Sequence, residues 1–435
     1  MRLLIRNANI IPCTEPGKVI PGGCMVVENE KIAYIGPYQY HGTFDRVIEA
    51  NGKILMPGLI NTHTHVAMTG MRGYADDQSL QTWLYDHIFP VEDRMDAECV
   101  AISAQLGMAE MIASGTTSFS DMYSFCDGIA QAAADCGLKA NISRGIVCFD
   151  DAPFDTAHNE RWAESVDLYR KWHGYDNGRI QIDFSVHAEY TTTQQCREVV
   201  AAYAVEKQAR VHFHLSETKK EQDECLERHG VTPARLFYQE GLLNERALAA
   251  HCVWLTEEDI ALFAQTGASV AHCPVSNLKL ASGVAPAVAL TQAGVNVALG
   301  TDGVASNNNH DLFEEIKLAS LLQKGVTLNP EVLPASEVLA MATVHGAHAQ
   351  GRGMECGMLR EGMDADFILL DTNRPSMQPY HHPISASAYS AHGSEVCLTA
   401  VRGRILYENG EFLTIDREKV YDAFEKRVRP MMFPD

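Results

Sequence analysis

The chain has 435 residues, of which 46% are hydrophobic and 21% are charged, and its formal net charge is −21. Nucleic acid and anionic lipid both repel a strongly acidic protein, so neither class of partner is expected. The length exceeds that of one small domain and is sufficient for a large barrel with an accessory unit.

The two ends of the chain share a strand-rich pattern. Short β-prone runs separated by turn residues are found at residues 3–5, 23–27, 31–36, 365–370, 397–401 and 404–407. We predict that residues 1–57 and 355–435 form the two halves of one small β-sandwich domain.

Residues 58–354 alternate strands with helical segments. After the strand that leads to His63, further strand-like apolar runs lie at residues 116–122, 140–146, 180–186, 211–213, 247–250, 269–271 and 295–300. The segments between them, such as 98–113 and 233–240, carry apolar residues at helical spacing. Eight strand–helix units predict an α/β fold, a (β/α)₈ barrel that forms a metal-dependent catalytic domain.

The active sites of such barrels lie at the C-terminal ends of the strands. Here the predicted strands end in metal-binding or charged residues, namely His63 and His65, Asp121, Arg144, His187, His214, His251, His272 and Asp302. Because the strand bodies are mostly apolar, this pattern predicts one polar site at that face of the barrel.

Four of these residues are predicted metal ligands. His63 and His65 are two apart at a strand end, so their side chains face the same way. Alone they would more often be a pair of hydrogen-bonded polar histidines, but the other strand ends favour metal binding. His214 is the third predicted ligand, with His212 as the alternative, and Asp302 is the fourth unless it belongs to a plain turn. Three histidines and one aspartate suit zinc or iron(II).

Two further residues are predicted to act on protons. Glu217 follows His214 by three residues and could shuttle protons beside the metal, although a glutamate that begins a helix is the alternative. His251 could hydrogen-bond an attacking water, unless it is a core histidine. Asp302 could take the proton of a water that the metal acidifies. His272 is left unassigned.

A single metal ion is predicted. Two-metal sites of this kind can be bridged by a carbamylated lysine at the end of the fourth strand. His187 occupies that position here, so the sequence favours one metal per chain.

Five segments of the chain together resemble the amidohydrolase superfamily. They are residues 57–65 (PGLINTHTH), 214–218 (HLSET), 250–252 (AHC), 271–277 (AHCPVSN) and 300–303 (GTDG). Residues 68–77, followed by Trp83 and Glu92, resemble the long loop of the 5′-methylthioadenosine/S-adenosylhomocysteine deaminases within that superfamily. The resemblance extends from about residue 2 to beyond residue 403.

The resemblance implies roles for the residues that match its motifs. It implies His63, His65, His214 and Asp302 as metal ligands, Glu217 as the proton shuttle to the purine ring, and His251 beside the water. It further implies a nucleoside site in which Glu92 binds the ribose hydroxyls, with His187 nearby and Trp83 beside the ribose or thioether. Arg144 would meet the amino-acid tail of S-adenosylhomocysteine.

Without the resemblance these substrate contacts would have plainer interpretations. Glu92 and Arg144 would be solvated charges, Trp83 apolar packing and His187 a hydrogen-bonded strand-end histidine. The chain also departs from the group, because Ala188-Glu189 follows His187 where many relatives carry Ser-Pro. No second arginine for the tail carboxylate is identified in residues 149–161.

The function predicted from these features is hydrolytic deamination at C6 of adenine in 5′-methylthioadenosine, S-adenosylhomocysteine or both, with adenosine as a further candidate. The alternative on the same metal site is a guanine deaminase or a triazine hydrolase. A metal-free scaffold is disfavoured because all four ligands are present.

Location and partners are predicted from simpler features. The 12 cysteines are scattered singly without a CxxC pair, which is typical of reduced thiols in a cytosolic protein. Charged residues interrupt the start too early for a signal peptide, and no apolar run approaches the roughly 18 residues of a membrane span. We expect a cytoplasmic enzyme with a small-molecule nucleoside substrate and no nucleic acid or membrane partner; the resemblance adds a homodimer or homotetramer.

Overall fold

A computed structural model describes residues 2–37, 42–149 and 154–434 of the chain. All ten predicted site residues lie in these ranges, whereas residues 150–153, in the segment searched for a second arginine, lie outside them. Within these ranges, every helix is too short or too polar to span a lipid bilayer.

Strands dominate the two ends of the chain, and strands and helices alternate between them. In chain order, the strands are β1 (Arg2–Ile10), β2 (Ile20–Glu28), β3 (Lys31–Pro37), β4 (Arg46–Glu49), β5 (Ile54–Pro57), β6 (Leu59–Thr64), β7 (Thr116–Tyr123), β8 (Lys139–Arg144), β9 (Ile180–Ile182), β10 (Phe184–Ser185), β11 (Val211–Leu215), β12 (Ala247–His251), β13 (Ser269–His272), β14 (Asn296–Leu299), β15 (Phe367–Leu370), β16 (Val396–Val401), β17 (Arg404–Glu408) and β18 (Glu411–Phe412). The helices are α1 (Leu80–Thr82), α2 (Phe89–Glu92), α3 (Ala97–Ala113), α4 (Cys126–Cys136), α5 (Glu160–Trp172), α6 (Tyr175–Gly178), α7 (Gln194–Lys207), α8 (Lys219–His229), α9 (Pro233–Gln239), α10 (Glu257–Thr266), α11 (Pro274–Lys279), α12 (Ala287–Gln292), α13 (Val304–Asn307), α14 (Leu312–Thr327), α15 (Ala335–Met341), α16 (Val344–Ala349), α17 (Pro383–Tyr389), α18 (Arg417–Ala423) and α19 (Arg429–Met432).

The two chain ends build one nine-stranded sheet. Its halves are joined where β5 pairs antiparallel with β15, in the register Pro57 to Phe367 and Ile54 to Leu370. This confirms that the strands of the two ends meet in space. The exact domain limits at residues 57/58 and 354/355 stay a prediction, and the last helices, α18 and α19, lie outside the sheet, with α18 packed on barrel helix α3.

The strands β6 to β14 form a parallel barrel, which confirms the predicted (β/α)₈ fold. The fourth strand of the barrel is interrupted at Asp183, so that β9 pairs with β8 and β10 pairs with β11. The barrel closes between β14 and β6, where the Asp302 amide donates to the His63 carbonyl over 2.9 Å and side chains add two further hydrogen bonds. The Thr62 hydroxyl donates to the Leu299 carbonyl over 2.8 Å, and the Thr301 amide donates to the Asn61 side chain over 3.0 Å.

Alternation along the strands separates the barrel interior from the layer beneath the helices. Ala249, Val270 and Val297 belong to the large core that also contains helix residues. Their neighbours Ala250 and Ala298 belong to a small separate cluster of mostly alanines. Side chains alternate along a strand, so every second residue packs against the helices and supplies most of the apolar contacts. The residues between them point into the barrel, where the small alanines leave space near the strand ends.

Gly300 allows the chain after β14 to approach the segment of β6 that carries His63. A Cβ atom at this position would lie 2.8 Å from both the backbone nitrogen and the Cβ of His63. No other residue fits this contact without displacing His63. The glycine of the Gly-Thr-Asp-Gly segment therefore brings Asp302 and His63 side by side.

A buried ion cluster joins the bottom of the barrel to the nine-stranded sheet. The Lys139 ammonium, fully buried at the start of β8, lies 2.7 Å from the Asp364 carboxylate and 2.6 Å from that of Asp366. Asp364 also contacts Lys31, whose side chain is 52% exposed. Burial alone would lower the pKa of Lys139, but the two carboxylates outweigh it and raise the pKa, whereas the pKa of Asp364 falls from 3.8 to about 2.

Replacing Lys139 with methionine is expected to lower the free energy of unfolding by about 3–5 kcal/mol, because it leaves two buried carboxylates without their central cation. Denaturant unfolding at pH 7 measures the loss, and Lys31→Met, which removes an exposed partner of the same cluster, should cost less than about 1 kcal/mol. The depressed pKa of Asp364 makes its contribution complete above pH ~4, and the contribution is lost as the pH falls toward 2. Equal losses in the two variants would contradict this account.

Candidate active site

Four predicted ligand side chains converge at the C-terminal face of the barrel. Nε2 of His65 lies 3.2 Å from Nε2 of His214 and 3.3 Å from Oδ1 of Asp302, and Nε2 of His63 lies 3.4 Å from the same Oδ1. The ligand atoms of His63, His65 and His214 all lie within 4.8 Å of one another. These donors therefore surround one point, as a single metal ion requires.

The other ring nitrogen of each histidine is fixed by a hydrogen bond. Nδ1 of His65 lies 2.6 Å from the Met122 carbonyl, and Nδ1 of His214 lies 2.8 Å from the His187 carbonyl. A carbonyl only accepts, so Nδ1 carries the proton in both rings and Nε2 keeps its lone pair. This orientation by backbone carbonyls is typical of metal-binding histidines.

His63 supplies the observation that tests whether a metal fits. Its Nε2 is buried and has no hydrogen-bond partner among the described residues, and burial lowers its pKa from 6.5 to about 4. A buried nitrogen with an unpaired lone pair lowers stability unless a hydrogen-bond donor or a metal ion binds to it. The donor set of three imidazoles and one carboxylate suits zinc, so the residues present fit a divalent metal.

Asp302 is held in place by residues from helices α11 and α13. Its Oδ2 accepts from the Ser276 hydroxyl over 2.6 Å and from the Ser306 hydroxyl over 3.0 Å. Its Oδ1 accepts from the Gly303 N–H over 2.8 Å and faces His63 and His65. Burial would raise the pKa of Asp302, but the neighbouring histidines, His63 foremost, hold it well below its usual value. The side chain is therefore an ionised carboxylate that is ready to bind a cation.

Three residues of the site adopt left-handed backbone conformations that non-glycine residues rarely take. The φ angles of Ser216, His251 and Asp302 are 48°, 73° and 64°. Such conformations persist only where the surroundings impose them, and they concentrate at functional sites. Here each one turns the chain sharply at the end of its barrel strand.

Glu217 and His251 lie beside the metal-binding point. The closest distance between Oε2 of Glu217 and Nε2 of His251 is 3.9 Å, and Oε1 of Glu217 accepts from the Ser282 hydroxyl over 3.4 Å. Burial raises the pKa of the Glu217 carboxyl, an effect that His251 opposes and Asp302 reinforces. A carboxyl group in this position can serve as a general acid or a general base.

The site opens into a cavity of about 510 Å³. Nine of the ten predicted site residues line it, and the tenth, His63, lies fully buried beneath it. This volume is in the range of small-molecule sites. The structure thus brings the predicted ligands, proton-transfer residues and substrate contacts into one space.

The predicted substrate contacts occupy one side of this cavity. Trp83 and Glu92 come from the long segment after β6, and burial raises the pKa of Glu92. His187 is held by Thr191, with 3.0 Å between Nδ1 and the hydroxyl oxygen, and burial lowers its pKa to about 3, so it is neutral. Arg144 pairs with Glu164 over 2.5 Å and donates to the Gly145 carbonyl.

Several residues of the site are not assigned from the sequence. The Asn277 side chain accepts from Nδ1 of His251 over 2.9 Å and fixes that ring. Arg161 lines the cavity and donates to the Val147 carbonyl. Asn277 belongs to the AHCPVSN segment, so its place in the site could have been predicted from that motif. Arg161 lies on α5, in a stretch without a recognisable motif. His272 is buried, does not line the cavity, and its role stays open.

His212 supports the first ligand from behind. Its Nε2 lies 2.9 Å from Nδ1 of His63, so with Nε2 of His63 kept free for the metal, Nδ1 donates and His212 accepts. This places His212 behind His63, not among the four convergent donors. The alternative of His212 as the third ligand is not favoured by this geometry.

Replacing His212 with leucine is expected to weaken metal affinity by about 10–100-fold, because His63 loses the acceptor that fixes its tautomer. Competition with a chromogenic chelator measures the affinity directly. His212→Gln, which keeps an acceptor oxygen near the position of Nε2, should recover most of the loss. Leucine and wild-type proteins with the same affinity would show that the contact has no such effect.

The comparisons with known proteins agree with this geometry. The model of the amidohydrolase family matches residues 54–406. A 5-methylthioadenosine/S-adenosylhomocysteine deaminase of Moorella thermoacetica is 41% identical over 430 residues, which cover 98% of this chain and 99% of that protein. A 5′-deoxyadenosine deaminase of Methanothermobacter thermautotrophicus is 42% identical over 403 residues, which cover 93% of each.

A solved structure shows the same similarity in three dimensions. An adenosine deaminase of Xanthomonas campestris, crystallised with bound zinc, is 35% identical and superposes with a TM-score of 0.93. The match covers 98% of both chains. The likeness therefore extends over the barrel and over the sheet formed by the chain ends.

Proposed function

This chain belongs to the amidohydrolase family, and from that premise we propose that it is a metal-dependent aminohydrolase acting at C6 of adenine in nucleosides with a modified 5′ position. The substrates proposed are 5′-methylthioadenosine and S-adenosylhomocysteine, with adenosine as a further candidate. One observation carries this: a buried carboxyl outside the proposed ligand set, that of Glu217, lines the cavity together with His65, His214 and Asp302, directly above His63. The relatives named as deaminases of adenosine derivatives support adenine over guanine or a triazine.

Each proposed role follows from a position in the cavity. His63, His65, His214 and Asp302 would hold one divalent metal, which we propose is zinc, with iron(II) as the alternative. When bound, the metal acts as a Lewis acid that acidifies water. Asp302 is the one carboxylate among the four donors, so it would supply the negative protein charge at the metal.

The reaction that these residues support exchanges an amino group for an oxygen. Glu217 donates its proton to N1 of the purine, which makes C6 electrophilic. The water oxygen then bonds to C6 while Asp302 takes one of its protons, and His251 hydrogen-bonds the incoming oxygen. Asp302 returns that proton to the amino group, the C6–N bond breaks, and ammonia leaves. The C6 hydroxyl gives its remaining proton to the Glu217 carboxylate, which restores the acid and leaves a C6 carbonyl. One water is consumed, and the inosine-type product remains, as in other deaminases where a non-ligand glutamate moves the protons.

The other side of the cavity would bind the rest of the nucleoside. We propose that Glu92 accepts hydrogen bonds from the ribose hydroxyls and that Trp83 packs against the ribose or the thioether, with His187 nearby. Arg144 lies at the side where a 5′ tail would extend. We also propose a cytoplasmic location, supported by 12 free cysteines, and a homodimer or homotetramer.

A substrate panel with metal control tests this function. Protein reloaded with zinc after chelation is mixed with 5′-methylthioadenosine, S-adenosylhomocysteine, adenosine and guanine, and loss of ultraviolet absorbance is followed at the wavelength of each base. We expect turnover of the thioether nucleosides with zinc and none after chelation, with Asp302→Asn as the blank. Absence of turnover on every adenosine by metal-loaded protein would overturn the substrate assignment.

A further inference from the structure

Glu217 is held in the cavity through its backbone more than through its side chain. The contacts of its carboxyl group with Ser282 and His251 are long, at 3.4 and 3.9 Å. By contrast, the backbone N–H of Glu217 donates to Oε2 of Glu221 over 2.8 Å, and the N–H of Ser216 donates to Oε1 of Glu221 over 2.8 Å. One carboxylate thus holds two successive amides at the point from which Glu217 enters the site.

Glu221 occupies the third position of α8, where a glutamate usually completes a capping box. Thr218 begins the helix, and its hydroxyl accepts from the N–H of Glu221 over 3.1 Å. In a capping box the glutamate would in turn accept from the backbone of the first capping residue. Here the Glu221 carboxylate accepts instead from the backbone amides of the two preceding residues, Ser216 and Glu217. The helix start is therefore used to fix the segment that precedes the helix.

The segment held in this way would not keep its conformation unaided. Ser216 has a φ angle of 48°, and its carbonyl accepts from the amides of Val253 and Trp254 over 3.0 and 2.9 Å. The turn is thus held by acceptors and donors on its two sides, and removal of Glu221 would leave two buried amides without partners. Unpaired buried amides are costly, and a change of φ at Ser216 would relieve backbone strain. Without Glu221, residues 216 and 217 would therefore follow a different path.

Glu221 is only 4% exposed and has no cationic partner among the described residues. Arg228 and His229, at the end of the same helix, pair with Glu189 instead. Burial raises the pKa of Glu221 to about 7, and the two amide hydrogen bonds oppose that rise. A buried carboxylate without a cation is costly, so its main compensation is the pair of amides that it holds.

We propose that Glu221 is a positioning residue for the reaction: it fixes the backbone of Glu217 so that the Glu217 carboxyl reaches N1 of the purine. This inference rests on the proposed function, in which Glu217 transfers the proton. Glu221 does not line the cavity, so it acts through Glu217 and not on the substrate. Displacement of a catalytic group by about 1 Å costs on the order of 10²-fold in rate.

A double-mutant cycle on the zinc-loaded enzyme tests this. Glu221→Ala is made in the wild type and in Glu217→Gln, and kcat and KM for 5′-methylthioadenosine, zinc content and melting temperature are measured for all four proteins. We expect Glu221→Ala to lower kcat about 10²-fold with KM within about threefold. In Glu217→Gln the same change should lower the residual kcat less than about twofold, because the group that it positions is already absent.

The matched control is the complete capping box at the start of α10, formed by Thr256 and Asp259. Asp259 there accepts from the Thr256 amide over 3.0 Å and is equally buried. Asp259→Asn should lower the melting temperature but leave kcat within about twofold, whereas a purely structural role for Glu221 would give both variants the same profile. Glu221→Gln, which keeps shape and one acceptor, replaces the alanine variant in the cycle if the latter does not fold.

The outcomes separate this inference from the function on which it rests. Equal losses of kcat in the two backgrounds, or loss of bound zinc in the Glu221 variants, would overturn the positioning role while the deaminase survives. Wild-type protein that turns over no adenosine would overturn both. A loss confined to the background that contains Glu217 supports the proposal.

Discussion

Replacing Asp302 with asparagine is expected to reduce kcat/KM for 5′-methylthioadenosine by about 10⁴-fold or more, the largest effect of any single change in the site. Two losses would combine, because in the proposed site Asp302 is both the one charged metal ligand and the base that accepts the proton of the attacking water. Oδ1 of Asp302 lies within 3.4 Å of both His63 and His65, so an amide there places a neutral oxygen or an N–H donor at the metal. Zinc content should fall together with activity.

A neighbouring variant separates these effects from general disruption of the loop. The Ser306 hydroxyl donates to Oδ2 of Asp302 over 3.0 Å, and its removal in Ser306→Ala leaves the ligand atom untouched. We expect that variant to retain zinc and to lose about 10–100-fold in kcat, the worth of one hydrogen bond to a charged group. An asparagine variant that keeps both zinc and activity would refute the ligand and base roles of Asp302.

Replacing Glu217 with glutamine is expected to lower kcat by about 10²–10⁴-fold with little change in KM. The amide has the same shape but cannot transfer a proton to the purine, and general acid–base catalysis supplies an effect of this size. Glu217 is not among the convergent ligand atoms, so zinc content should stay at the wild-type level. This combination of lost turnover and retained metal distinguishes it from the Asp302 variant.

The measurement is steady-state kinetics with zinc content determined on the same samples. Glu189→Gln serves as the control, because Glu189 is a buried glutamate outside the cavity that pairs with Arg228 and His229. Its replacement should affect stability more than kcat. If Glu217→Gln kept a kcat within tenfold of the wild type, the proton-shuttle role would be wrong.

The sequence is sufficient to predict the barrel and the convergence of its strand ends, because both depend on local and topological rules. Alternation along a strand puts His63 and His65 on one face. Parallel strands of a barrel all end at one rim, so residues as distant in sequence as His65 and Asp302 must meet there, and their side chains do lie 3.3 Å apart. The segments that resemble a known superfamily then added the chemistry.

The interactions that orient those residues cannot be predicted from the sequence in the same way. His63 and His212 are separated by 149 positions, and the Ser276 and Ser306 hydroxyls reach Asp302 from two different helices, α11 and α13. Arg161 enters the cavity from a helix whose sequence carries no motif. Such contacts depend on loop dihedrals and helix placement to within about 1 Å, which no periodicity encodes.

Glu221 illustrates both what the sequence predicts and what only the tertiary structure shows. The spacing of Thr218 and Glu221 is that of an ordinary capping box, a local signal that the sequence contains in full. Only the tertiary structure directs the carboxylate to the amides of Ser216 and Glu217, because the left-handed turn at the end of β11 brings those amides within reach. The sequence by itself determined the barrel, the face of the site and the residue types in it; packing between distant loops decided which atoms hold them.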